Sequence, residues 1–142
     1  SCLLAPLVGR QAGLLLADTA RYAEKQLFVA QCGVDPARIA AIGGIEARGV
    51  DLWAERERVL DLLTDAGKHL LAAGRVQVLL LGCLSFLGLA HPLSERLGVP
   101  VVDPAVAPVA LAECLVRQGL KTSRKAYPAP PLRKRTWQSG QL

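Results

Sequence analysis

The sequence has no run approaching the roughly eighteen uninterrupted apolar residues that a membrane-spanning helix needs. Its start contains Pro6 and Arg10 in place of a charged opening followed by a long apolar region, so no signal peptide is expected. Four cysteines stand at positions 2, 32, 83 and 114 with no CxxC pair and no histidine-rich companion. That spacing suggests neither a zinc site nor a disulfide framework, and a reducing cytoplasm fits it best. Gly43-Gly44 lacks the further glycines and the lysine that a phosphate cradle needs. Ser85 has no visible Ser/His/Asp constellation to activate it. Acidic residues are missing from positions 114–142, which hold seven Lys or Arg. The net charge of +5 therefore belongs to the tail, and the residues before it are slightly acidic.

What is present is a chain of 142 residues, 51% of them hydrophobic, with a mean hydropathy of +0.30. That length and composition support one α/β domain with a real core and exclude disorder.

Ala12 to Ala17 is a short apolar run bounded by polar residues and reads as a first buried strand. Asp18 or Thr19 caps a helix through about Gln31, with Tyr22, Ala23, Leu27 and Ala30 as its sheet-facing side. Asp35-Pro36 starts a short helical turn, and Ile39 to Ile42 reads as a second strand leaving through a flexible Gly43-Gly44 turn. Residues 54–73 are helical, with Val59, Leu63, Ala66, Leu70 and Ala73 along one stripe and Glu55 to Arg58 at a solvated start, and Gly74 stops the helix.

Val76 to Gly82 is a strand of branched apolar residues ending at Cys83. Such a strand is buried on both faces, and its carboxyl end is where a parallel sheet opens toward ligand. Leu84 to Ala90 reads as a turn entering a helix whose backbone N–H groups point at the sulfur, an arrangement that favours thiolate. That helix runs toward Leu97 and Gly98, with Pro92 either kinking it or marking its start near His91. A short strand from Pro100 to Asp103 and a last helix from Pro104 to Gly119 follow. Alternating strands and helices predict right-handed crossovers and a mostly parallel four-stranded sheet in a three-layer α/β lobe. Residues 1–120 form that lobe, and 121–142 form a basic, proline-containing, extended tail.

Leu81-Gly82-Cys83, Gly88-Leu89-Ala90, Leu93 to Pro104 and Leu120-Lys121-Thr122-Ser123 resemble the C-terminal half of the hydantoin racemases, within the aspartate/glutamate racemase superfamily. The resemblance runs from about Gly9 to about Arg135 and is specific over 79–123. It implies one lobe of a two-lobed enzyme. It further implies racemisation or epimerisation, without cofactor, of hydantoin-like or amino-acid-derived small molecules. In that family two cysteines face each other across the substrate, and Cys83 matches the second.

The sequence departs from the family in places. Leu84-Ser85-Phe86 is bulkier than the Ala-Gly-Met usual after the cysteine, where substrate rests. Where the family places paired threonines, this chain offers Ala17-Asp18-Thr19, so Asp18 and Thr19 are the candidate substrate contacts there, with Asp18 equally readable as a helix cap. The first family cysteine lies upstream of the matching region, and Cys2 is not a credible replacement. The opposite thiol is then expected from a missing N-terminal lobe or a homo-oligomer.

Cys32 and Cys114 read as structural, His69 as a surface residue, and His91 as a helix cap. Arg124-Lys125 and Arg133-Lys134-Arg135, interleaved with Tyr127 and Trp137, are open to contact with nucleic acid. The family resemblance favours a solvated extension over that. The competing function is a non-catalytic α/β ligand-binding or interaction module derived from such a racemase.

Overall fold

The computed structural model describes residues 2–47 and 49–130. Its centre is a parallel sheet in the order β2-β1-β3-β4, built from β1 (Ala12–Leu16), β2 (Ile39–Gly44), β3 (Val78–Leu81) and β4 (Val101–Val102). β1 and β3 are the inner strands, and every residue of both is buried. Their side chains alternate between two cores, as the pleat requires. Leu15, Leu79 and Leu81 meet α3 (Arg56–Ala72) and α4 (Ala90–Leu97) on one face. Ala12, Leu14, Leu16, Val78 and Leu80 join Ala5 of α1 (Ala5–Val8) and Val29 of α2 (Tyr22–Gln31) on the other. The three-layer α/β architecture expected from the alternation is the one observed.

α3 supplies the thick side of the core: Val59, Leu63 and Leu70 are buried as the stripe predicts, while Ala73 is exposed. Fully burying each such aliphatic side chain contributes about 1.5–3 kcal/mol over leaving it in water. The opposite layer is thin. Tyr22, Ala23, Leu27 and Ala30, expected to face the sheet, are all exposed, and Val29 alone of α2 is buried. The ten-residue helix touches its neighbours mainly through the short turns at its ends rather than along its length. α5 (Val106–Arg117) buries no residue at all, although Val106, Val109, Leu115 and Val116 lie on it.

Two glycines read as a turn belong to the sheet. Gly43 and Gly44 are in β2, opposite Leu15 and Leu16. A Cβ at Gly44 would stand 2.3 Å from the Leu16 carbonyl oxygen, so a residue without a side chain is needed for the strands to pair there. Pro92 is accommodated in the first turn of α4, which starts at Ala90, where its missing N–H would have had no intrahelical partner. Residues 121–130 form neither helix nor strand, but they close a turn in which Tyr127 N donates to Ser123 O at 2.8 Å. The rest of the expected tail, including Arg133-Lys134-Arg135 and Trp137, lies outside the described residues.

Candidate functional site

Parallel strands bring their carboxyl ends to one edge of the sheet. Ala17-Asp18-Thr19 follows β1, Ile45 to Ala47 follows β2, Gly82 to Ser85 follows β3, and Asp103 follows β4. The chain leaves β1 for β2 on one side, then crosses back to β3 on the other. The β1/β3 boundary is therefore a topological switch point, where loops diverge and leave a crevice at the strand ends.

Cys83 stands at that boundary, half-buried and in extended conformation. The two strands approach closely just before it: Gly82 N donates to Leu15 O at 2.7 Å. A Cβ on Gly82 would lie 2.7 Å from Leu16 Cδ2 and 3.0 Å from that same Leu15 oxygen. The turn expected after the sulfur is a single 3₁₀ turn, Leu84–Phe86, held by Phe86 N donating to Cys83 O at 3.1 Å. Leu87 returns to extended geometry, Gly88 takes φ +82°, and regular helix resumes only at Ala90. Three residues carry no macrodipole of consequence, so that source of thiolate stabilisation is withdrawn.

The candidate contacts around the cysteine divide in two. Asp18 is a cap, its Oδ1 accepting from Ala20 N at 2.9 Å to start the turn Thr19–Arg21. Thr19 donates its hydroxyl to the Glu46 carboxylate, which ties the end of β1 to the end of β2. Leu84 projects into solvent, 67% exposed. Ser85 is half-buried, and its backbone oxygen accepts from Arg56 Nη1 at 2.9 Å.

Two arginines belong to this region, and neither stands in a motif that marks it as part of a site. Arg56, read as part of a solvated helix start, clamps the loop after Cys83 by donating to the carbonyls of Ser85 and Leu87. Its guanidinium also lies 5.2 Å from the Trp53 ring centroid. Arg21 closes the turn after β1 and is gripped by Glu24 through Nε–Oε2 at 2.9 Å and Nη2–Oε1 at 2.7 Å. That hydrogen-bonded fork raises the Arg21 guanidinium above its ordinary value and lowers the Glu24 carboxyl, and Asp18 and Cys83 add to the effect on Arg21.

Asp103 supports the site from the β4 side. Its Oδ2 accepts from Gly88 N at 2.9 Å, and its Oδ1 accepts from Ala105 N at 2.8 Å and Val106 N at 3.0 Å. Burial pushes this carboxyl up. The hydrogen bonds from Gly88, Val106 and Ala105, with the Arg56 charge, outweigh burial and hold it below the usual carboxylate range.

Beside Cys83 an open groove of about 490 Å³ runs between α2 and the start of α5, with Gly82, Leu84, Phe28 and Pro104 among its walls and Lys25 as its charged lining residue. Cys2 and Cys32 line it as well. Burial raises the Cys2 thiol pKa, which favours the neutral form. Cys32 and Cys114, read as structural, are exposed, and Cys114 Sγ accepts from Gln118 Nε2 at 3.1 Å. His69 is exposed. His91 caps nothing and instead faces Glu95 along α4 at 3.6 Å. A larger cavity of about 590 Å³ lies against β2 and α2, with Tyr22, Leu27, Pro36 and Ile42 in its lining, and Cys83 itself lines neither of the two spaces. Among the described residues no cluster of His, Cys, Asp or Glu has the arrangement of a metal site, and no helix is long and apolar enough to cross a membrane.

No family model matches the chain. It is 38% identical over 84 residues to a hydantoin racemase of Paenarthrobacter aurescens, a match covering 58% of this chain and 36% of that protein. It is 37% identical over 82 residues to a hydantoin racemase of a Pseudomonas species, covering 57% and 33%. The matched stretch thus spans about a third of the length of these relatives. The fold matches a crystal structure of an allantoin racemase from Pseudomonas fluorescens with a TM-score of 0.78 at 24% identity, covering 96% of this chain and 58% of that one. It matches the allantoin racemase from Klebsiella pneumoniae with a TM-score of 0.80 at 22% identity, covering 96% and 56%. The resemblance to hydantoin racemases read from the sequence is borne out over part of the chain, and the fold is that of a little over half of an allantoin racemase.

Proposed function

We propose that this chain provides half of a cofactor-independent racemase or epimerase site, in which Cys83 moves the proton on a carbon next to a carbonyl. The observation that carries the reading is the placement of Cys83 at the β1/β3 switch point, on a strand end narrowed by Gly82. The similarity to hydantoin racemases supports the reaction class, and hydantoin-like or amino-acid-derived compounds are the proposed substrates. Thr19 and Asp18 border the crevice from β1, and Leu84 and Ser85 border it from β3.

Inverting a carbon needs a base on one face and an acid on the other, each within about 3 Å of the proton it handles. Cys83 serves one face: as thiolate it takes the proton from one enantiomer, and as thiol it returns a proton to that same face. A second lobe, or a second copy of the chain, supplies the opposite thiol. The test follows a 5-substituted hydantoin in deuterated water by proton NMR and polarimetry together. The chain as a monomer exchanges the proton for deuterium without inversion, and Cys83→Ala stops the exchange. Efficient inversion by a monomer that survives Cys83→Ala would overturn both the half-site and the role of Cys83.

A further inference from the structure

β2 forms one edge of the sheet, and among the described residues it pairs with β1 alone. Past its end, Ile45 N and Ala47 N donate toward β1, to Leu16 O at 3.0 Å and Ala17 O at 3.2 Å. Backbone groups alternate sides along a strand, so those of Ile42 and Gly44 point the other way, off the edge of the sheet. Exposed edges are commonly guarded by charge or proline, and from Ile39 to Ile45 this one carries neither. Its irregularity, the register shift opposite Ala12 and Gly13, lies before Ile42.

Alongside the strand runs the open cavity of about 590 Å³, walled by Ile39 and Ile42 on one side and by Tyr22 and Leu27 on the other. Tyr22 and Leu27 are the apolar α2 residues left 44% and 60% exposed. Charge stands at the two ends of the strand. Arg38 precedes it and Glu46 follows it, each four residues from Ile42 and both exposed. Arg38 Nη1 donates to Arg10 O at 3.4 Å and Glu46 accepts the Thr19 hydroxyl, contacts that keep both head groups at the surface beside the edge.

We propose that the β2 edge is the docking surface for a second copy of this chain, the two β2 strands running antiparallel about a twofold axis at Ile42. Two four-stranded sheets then join into one, and Tyr22 and Leu27 are covered. The charges select this arrangement. About that axis Arg38 of each copy meets Glu46 of the other, whereas in-register parallel pairing sets like charge against like. The inference is independent of the reading of Cys83 but bears on it. Antiparallel pairing turns the carboxyl ends of the strands, and Cys83 with them, toward opposite ends of the joined sheet. A copy docked on β2 therefore does not supply the opposite thiol, which leaves that role to a second lobe.

Sedimentation velocity over a wide concentration range measures the dimer, and amide hydrogen exchange followed by NMR locates it. The Ile42 and Gly44 amides are expected to exchange fast in dilute wild-type protein and slowly in concentrated protein, while Ile45, bonded to β1, stays slow in both. Arg38→Glu turns two attractive surface pairs into two repulsive ones and is expected to weaken the dimer about tenfold. Adding Glu46→Arg to it restores the affinity, and 1 M salt narrows the gap between wild type and the single variant. A chain that stays monomeric throughout overturns the proposal. So does a dimer in which Ile42 and Gly44 still exchange fast, which puts the contact elsewhere, as on α5. A dimer indifferent to Arg38→Glu overturns the antiparallel register. The exchange measurement needs no variant, so it decides the matter even if a substitution unfolds the chain.

Discussion

Replacing Asp103 separates the two jobs of one carboxylate. Oδ1 holds the start of α5 through Ala105 and Val106, and Oδ2 holds the loop that follows Cys83 through Gly88. The residue is only 9% exposed, so water replaces lost partners poorly. Asp103→Ala strands those backbone donors and is expected to cost about 3 kcal/mol, or about 10 °C in Tm for a domain of this size. Asp103→Asn keeps one acceptor oxygen. Turned to serve Ala105 and Val106, it places an amide N–H against Gly88 N and loses that bond, for about half the cost. Acid acts in the same direction. The folded-state pKa of Asp103 lies below its unfolded value. The stabilisation is therefore present above about pH 4 and is lost as pH falls through the depressed folded value. Urea unfolding followed by circular dichroism at pH 7 and pH 3 measures both effects, and the acid-dependent difference should shrink in either variant. If Asp103→Ala unfolds within 0.5 kcal/mol of the wild type, or if the Asn variant costs as much as the Ala variant, the division of labour between the two oxygens is wrong.

Gly44→Ala drives a methyl group against the Leu16 backbone oxygen, which has no side-chain freedom with which to yield, so the β1–β2 pairing must shift. A loss of about 3 kcal/mol in thermal or urea unfolding is expected, and a neutral result would remove the close approach as the reason for glycine there. The apolar side chains that α2 and α5 leave in solvent, among them Leu27, Phe28, Val109 and Val116, favour association of the chain with itself or with a partner. Light scattering should show mass growing with concentration, and a monomer over a hundredfold concentration range would count against it.

Strand and helix types were readable because burial writes itself into periodicity: β1 and β3 are continuous apolar runs, and the α3 stripe recurs every three or four residues. Cys83 was placed by the same logic, since a buried strand followed by small and polar residues ends at a sheet mouth. The face of α2 was misread because an apolar side chain at helical spacing shows what a helix is able to bury, not whether anything covers it. Gly43-Gly44 misled for a related reason: glycine marks a turn and a close strand contact equally well, and only the partner Leu16 oxygen tells them apart. The turn after Cys83 does not run straight into helix because Leu87 is extended and Gly88 left-handed, a conformation that glycine favours, and α4 starts at Ala90, beside the His91 start that Pro92 marked. Arg56 stayed invisible because its role depends on carbonyls brought near by folding, 29 and 31 residues away, whereas the Arg21–Glu24 pair, three residues apart, reads in the sequence as an ordinary surface pair.

The position of β1 between β2 and β3 also sets the order in which the molecule becomes safe. During synthesis the β1–β2 pair can form as soon as Gly44 has emerged, but the partner for the other edge of β1, from Val78 to Leu81, arrives much later. Until then Ala12-Gly13-Leu14-Leu15-Leu16 offers an apolar, uncharged strand with a row of open backbone donors and acceptors, the kind of edge that templates aggregation. Closing it waits on a long loop that includes all of α3, which makes the step slow relative to local helix formation. Conditions that delay β3, such as high expression temperature or substitutions that weaken Val78 and Leu80, should therefore lower soluble yield more than their cost to the finished fold would suggest.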